Sequence, residues 1–260
     1  MEKAIYNGVD NVARKVKTPY IGVNNVTRKV KGAYIGIDNV ARQCLSGGTT
    51  ISELSVGDSV YMNVNGVSKE FLVIHQGNPD SSIYDSSCDG TWLLLKGVYT
   101  TMAFGDSIFY YESNIHSYLN NDFINLLDEN IKNTIKQVKI PYTKRNLETY
   151  AYETFNGSNG LLTKVFLLSY TELGFPNKEY TPIEGVSLGY FENKSATDIS
   201  IGAAWWLRSI YTQFTGGNIY IIASNGKVSV DGYPSFPYGV RPALILPSDT
   251  LMDSNFNVIG

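Results

Sequence analysis

Apolar and polar positions alternate at the start of the main body of the chain. Val60-Tyr61-Met62-Asn63-Val64 and Glu70-Phe71-Leu72-Val73-Ile74 read as two strands, and Asn65-Gly66 between them is a hairpin-turn signal. Thr91-Trp92-Leu93-Leu94-Leu95 is a short continuous apolar run and predicts a further strand. The period then changes. Ser113 is placed to cap a helix running through Ile115, Tyr118 and Leu119. Asp122 is placed to cap another, with Phe123, Leu126, Leu127, Ile131 and Ile135 at helical spacing. Pro141 ends that run. Tyr142 to Leu161 is polar and rich in Gly and Asn, which predicts a long loop, and Lys164 to Ser169 reads as a buried strand. Tyr170 to Ser200 shows no sustained period. The last third is strand-forming: Trp205–Ser209, Asn218–Ala223, Lys227–Val230 and Val240–Leu246, with Asn225-Gly226 turning the middle hairpin. Helices early and paired strands late predict an α+β domain over residues 51–260.

Residues 1–45 follow another rule. Tyr6-Asn7-Gly8-Val9-Asp10-Asn11-Val12 returns as Tyr20-Ile21-Gly22-Val23-Asn24-Asn25-Val26 and as Tyr34-Ile35-Gly36-Ile37-Asp38-Asn39-Val40, a repeat of about 14 residues. Each copy reads as strand, Asx turn, strand, because Asn and Asp tolerate positive φ. The expectation is a small β-meander, too thin to stand alone, that leans on the main domain or on other chains. Residues 46–50 read as a linker.

Charge separates the two parts. Residues 1–45 hold eight Lys/Arg against three Asp/Glu, and the other 215 hold thirteen against twenty-one. The repeats therefore carry +5 and the remainder −8, which suggests different partners. The overall −3 argues against nucleic acid as the main partner. No 18-residue apolar run exists to span a membrane, and the first residues lack the pattern of a cleaved signal. With 19 Tyr in a chain that is only 17% charged, recognition surfaces and ordinary strand interiors are about equally good uses of the aromatic excess.

The chemical candidates are few. Cys44 and Cys88 are better read as two thiols than as a disulfide. His75 and His116 are distant in sequence, so zinc is not expected, and no cofactor is implied. Glu192, Asp198 and Asp231 are possible oxygen donors, but no metal is predicted from them. No P-loop, Gly-x-Ser-x-Gly or His-Glu-x-x-His occurs. Tyr233-Pro234-Ser235-Phe236-Pro237-Tyr238 is the unusual stretch. Rings on a proline-stiffened loop lose little freedom on binding, so exposed anchors are expected here, with plugging of the domain's own core as the competing use.

Ala204-Trp205-Trp206-Leu207-Arg208-Ser209 and Gly239-Val240-Arg241-Pro242-Ala243-Leu244 resemble the paired signature of C-type-lectin-like domains of the formylglycine-generating-enzyme type. With Ser117-Tyr118-Leu119-Asn120-Asn121 and Ile135–Tyr142, the chain over roughly 50–250 is similar to the subgroup called domain of unknown function 6273. The N-terminal units resemble repeats of phage and prophage structural proteins. The resemblance implies a C-type-lectin-like fold behind a repeat module. No Cys follows Cys88, so the oxidation chemistry of the enzymes in that class is not implied.

Some members of the wider class are variable proteins of diversity-generating retroelements, in which adenine mutagenesis rewrites exposed residues near the C-terminus. Ile210, Tyr211, Thr212, Phe214, Tyr220, Ile222, Asp231, Tyr233, Ser235, Phe236 and Tyr238 are all reachable from an Asn codon by changing its adenines, and Asn218 is such a codon unchanged. Gln213 is not reachable. These twelve positions form the candidate ligand-binding set, with Arg208 and Arg241 as structural clamps at its borders. The implied protein is non-catalytic. It displays a face to a host-cell-surface protein or glycan and uses residues 1–45 to join other virion or tail proteins, with a homo-oligomer possible. Its place is the virion tail or a bacterial surface. The alternatives are a degenerate enzyme of the formylglycine-generating class and a bacterial adhesin or sugar-binding module.

Overall fold

The computed structural model describes residues 49–213 and 218–259, together with the backbone of six strands in the repeat region. Those six form three separate hairpins. Tyr6–Val9 pairs with Val12–Lys15, Tyr20–Val23 with Val26–Lys29, and Gly32–Ile37 with Val40–Ser46. A continuous meander does not form among the described residues: each pair is its own two-stranded sheet. The expected Asx turns lie outside the described residues. The linker assignment is also corrected. Ser46 ends a strand, and Thr49–Thr50 pairs with Leu251–Met252, so the last residues of the supposed linker belong to the main body.

The main body is α+β, mostly strands with a few short helices, and its centre is two five-stranded sheets. In chain order their strands are β1 (Ser59–Val64), β2 (Val67–Gln76), β3 (Thr91–Leu95), β4 (Thr100–Ala103), β5 (Val165–Phe166), β6 (Trp205–Tyr211), β7 (Asn218–Ile222), β8 (Val228–Gly232), β9 (Pro237–Val240) and β10 (Ala243–Leu246). The first sheet runs β5-β10-β3-β2-β1 and the second β4-β9-β6-β7-β8. Asn65 and Gly66 have φ of 53° and 72°, which is the turn a two-residue hairpin needs to follow the strand twist. β3 is central and every residue in it is buried, which is why its sequence is a continuous apolar run rather than an alternation. Trp92 packs edge-on against Tyr84 and Phe166, with ring centroids 5.5 and 5.6 Å away. Cys88 is a buried free thiol whose pKa burial pushes up to about 12.

Helix α1 (Asn114–Asn121) starts where expected, with Ser113 Oγ accepting from His116 N–H at 3.0 Å. Asn120 near its end docks it. The amide donates to Val165 O, and its oxygen accepts from Thr163 Oγ, Lys164 N and Val165 N. The single helix expected after Asp122 is instead a 3-10 turn (Phe123–Leu126) and a separate helix α2 (Glu129–Thr134). Asp122 makes no capping bond through its side chain. The break is a tertiary effect: Leu126 O is taken by Asn65 N–H at 2.6 Å, and Leu127 bridges to Val64.

The expected loop after Pro141 is also structured. Tyr142–Arg145 pairs with Tyr152–Phe155, and Leu161–Thr163 pairs with Val138–Ile140. Tyr142 faces Phe155 across the first pair at 5.6 Å between centroids, and Tyr142 and Tyr152 also meet Tyr111 and Phe109, at 5.5 and 6.1 Å, so aromatic contacts support a hairpin whose middle positions are polar. The strand expected over Lys164–Ser169 shortens to Val165–Phe166. Leu167 O and Leu168 O leave the sheet pattern to meet Arg208, the first at Nη1 and the second at the backbone N–H. Among the described residues no helix is long and apolar enough to cross a membrane.

Candidate functional site

The second sheet presents the segment between the two signatures. β6 and β7 form a hairpin, and Tyr211 stands opposite Asn218 at its loop end. β7 then pairs with β8, with Ile219 opposite Gly232, so Asn218 and Tyr233 leave the sheet side by side. The loop Tyr233–Phe236 crosses back to β9 and is fixed at its middle. Pro234 O accepts from Phe104 N–H at 2.8 Å and from Gly105 N–H at 3.3 Å.

Trp205 and Trp206 are both buried, on opposite sides of β6. Trp206 lies beneath the crossing loop. Its ring meets Tyr238 edge-on at 4.8 Å and Phe104 at 5.2 Å, and its indole N–H donates to Met102 O. Tyr238 in turn donates from its hydroxyl to Asp231 O at 3.3 Å. Above this braced layer stand Tyr233, 51% exposed, and Phe236, 53% exposed, with centroids 5.5 Å apart. Ser235 and Asp231 are exposed beside them, the latter accepting from Ser229 Oγ. At the hairpin end Tyr211 and Thr212 are half-buried. Thr212 N–H and Oγ both donate to Tyr180 O, at 2.9 and 3.0 Å, and Tyr180 is itself 44% exposed.

Not all twelve candidate residues reach this face. Ile210, Tyr220 and Ile222 are buried and are corrected to core. The Tyr220 ring stacks on Tyr170 at 4.5 Å and its hydroxyl bonds Thr181 Oγ at 2.6 Å, because the irregular segment after Leu168 covers the outer side of β7. Strand alternation marks two faces but does not say whether a loop covers the second. Asn218 is half-buried and donates to Val230 O. Phe214 lies outside the described residues. Tyr211, Thr212, Asn218, Asp231, Tyr233, Ser235, Phe236 and Tyr238 remain at one end of the sheet, and Tyr180 joins them without having been expected.

The two arginines are clamps. Arg208 Nη1 and Nη2 donate to the two oxygens of Glu172 at 2.6 and 2.7 Å, while its other bonds go to Pro141 O, Leu167 O and Glu184 O. Glu172 also accepts from Tyr84 hydroxyl and Ser169 N–H, so all four of its bonds come from donors. Burial opposes the charge on Arg208, but the Glu172 pair outweighs it and carries the guanidinium above its usual pKa. Glu184 is buried nearby and takes Ser209 Oγ at 2.6 Å. Burial raises its pKa, against the pull of Arg208. Arg241 donates to Leu95 O and Lys96 O and lies flat on Trp205, 4.9 Å from its centroid. The histidines stay apart from this layer. His75 accepts from Gly189 N–H, and burial lowers the pKa of both His75 and His116.

The body is mixed α+β, and half-exposed aromatics stand on the loop between β8 and β9. The chain belongs to the family described as domain of unknown function DUF6273, whose sequence model matches residues 89–248. The physical unit is larger than the match, since β1 and β2 (residues 59–76) complete the first sheet. No curated protein and no solved structure matches the chain significantly.

Proposed function

We propose that the chain is a non-catalytic ligand-display protein that binds through the end of the second sheet. The observation that carries this reading is the pair Tyr233 and Phe236. Both rings stand half in solvent on a loop held by Pro234 O and supported by the Trp206–Tyr238 contact. A rigid aromatic pair over a packed base is the arrangement that anchors binding at small entropy cost. Asp231, Ser235, Thr212 and Asn218 supply polar groups around it.

The finer reading is a C-type-lectin-like domain of a phage or prophage receptor-binding protein, diversified by a retroelement. In its favour, the two signature segments hold the scaffold through Arg208 and Arg241, and most of the adenine-reachable positions lie on the presented end. Residues 1–45 would attach it to other virion or tail proteins, and the ligand would be a host-surface protein or glycan.

The test is the double variant Tyr233→Ala/Phe236→Ala. Rings that serve as anchors cost about 2 kcal/mol or more each when truncated, so binding to immobilised host-cell envelopes should fall at least about 30-fold per ring. Surface truncations shift stability by about 0.5 kcal/mol, so Tm should move by no more than roughly 2 °C. A collapse in Tm, or undiminished envelope binding, would overturn the assignment. Sequencing residues 205–241 in sister isolates tests diversification: substitutions should gather at the eight presented positions and spare Trp206 and Arg208.

A further inference from the structure

Arg241 differs from Arg208 in that its charge has no counter-ion among the described residues. The residue is only 3% exposed. Nε and Nη2 donate to the carbonyls of Leu95 and Lys96, and the indole of Trp205 covers one face, so every one of these partners is neutral. Among the described residues no carboxylate lies within ion-pair distance of it. Burial draws its pKa down to about 10, as expected for a cation without an anion beside it. Nη1 makes no hydrogen bond to a described residue, yet it is not among the sealed polar atoms. Arg241 lines a cleft of about 350 Å³, within the usual size of a small-molecule site.

The walls of that cleft mix apolar and hydroxyl groups. Leu72 and Ser59 come from the paired strands β1 and β2, and Tyr190, Ser200 and Ile201 from the segment before β6. The other charges along it already have partners. Lys96 Nζ is 2.8 Å from Glu70. Asp198 is held by Ser195 N–H and Oγ at 2.9 and 2.7 Å, with Lys194 near enough to stabilise its charge. What remains uncompensated is a single positive charge at the cleft wall.

We propose that this cleft binds a small molecule through one singly charged carboxylate set against Arg241 Nη1, with the apolar part of the ligand on Leu72, Tyr190 and Ile201. A monoanion balances the one free charge. A doubly charged phosphate would bring surplus negative charge towards Asp198. The cleft is separate from the aromatic face and does not depend on the reading given above.

Titration of the full chain with benzoate, benzamide and inorganic phosphate, followed by saturation-transfer NMR, tests this. Benzoate should saturate, benzamide should bind at least about tenfold more weakly for want of charge, and phosphate should bind more weakly than benzoate. Ser59→Trp and Ile201→Trp each put a large ring into the lining of the cleft, from different segments of the chain, and touch neither bond of Arg241 to Leu95 and Lys96. Whichever melts within roughly 2 °C of the parent should lose benzoate binding. The proposal is overturned by equal binding of benzoate and benzamide, by tighter binding of phosphate, by benzoate binding that survives in a folded blocking variant, or by no saturation with benzoate.

Discussion

Replacing Glu172 with Gln isolates the charge of the Arg208 clamp while conserving its shape. In the native protein all four hydrogen bonds to Glu172 come from donors: two guanidinium nitrogens, the Tyr84 hydroxyl and the Ser169 N–H. A Gln amide nitrogen must therefore face donors whichever way it is turned, and the guanidinium loses its counter-charge in a fully buried site. Removing one member of a buried pair costs about 3–5 kcal/mol. For a domain of this size each kcal/mol is worth roughly 2–4 °C, so Tm should fall by about 6–20 °C. Differential scanning calorimetry of Glu172→Gln against the parent reads this loss directly. A variant that melts within about 2 °C of the parent would show that the pair contributes little and that the clamp rests on the carbonyl bonds alone.

Three further outcomes follow from the same packing. Glu184 has a raised pKa in the folded state, so the folded chain holds that proton more tightly than the unfolded one; the benefit is complete below about pH 4.3 and is lost as pH rises through the folded value. Relative to Glu184→Gln, the parent should lose stability as pH increases from 4, and a gain would reverse the sign of the reasoning. Gly226 has φ +79° and an added Cβ would sit 1.7 Å from Ala196 O, whereas Gly66 at φ +72° has nothing within 4 Å. Gly226→Ala should cost about 2 kcal/mol or more in denaturant melts and Gly66→Ala about 1; equal losses would mean the turn can shift. A chain beginning at Thr49 keeps the pairing with Leu251–Met252, so it should melt as cooperatively as the full chain, and a non-cooperative melt would show that the repeats complete its core.

What could be read in the sequence was local. The Asn65-Gly66 hairpin, the Ser113 cap and the strands around Trp92, Trp205 and Leu244 all announce themselves through turn chemistry or composition within a few residues. The failures share a cause in long-range contact. The helix after Asp122 breaks because Asn65 takes a carbonyl from it. The strand at Val165 stops because Arg208, more than 40 residues later, binds the next two residues. Tyr220 looked available because nothing in the sequence of β7 says that Tyr170 and Thr181 lie across it. The carboxylates Glu172 and Glu184 fall in a stretch without periodicity. No turn chemistry or spacing in that stretch pointed to them.

Apart from the Glu172 carboxylate, the clamps at the two ends of the segment from Arg208 to Arg241 hold other parts of the chain by main-chain oxygen. Arg208 grips Pro141, Leu167 and Glu184 by their carbonyls, and Arg241 grips Leu95 and Lys96 the same way. A carbonyl is the same whatever side chain accompanies it. The frame is thus indifferent to the identity of the residues it fastens, and apart from Glu172 only its own two arginines must stay fixed. Such a frame lets sequence drift around it without loosening, which separates the rate at which the exposed residues between the clamps can change from the rate at which their support must be conserved.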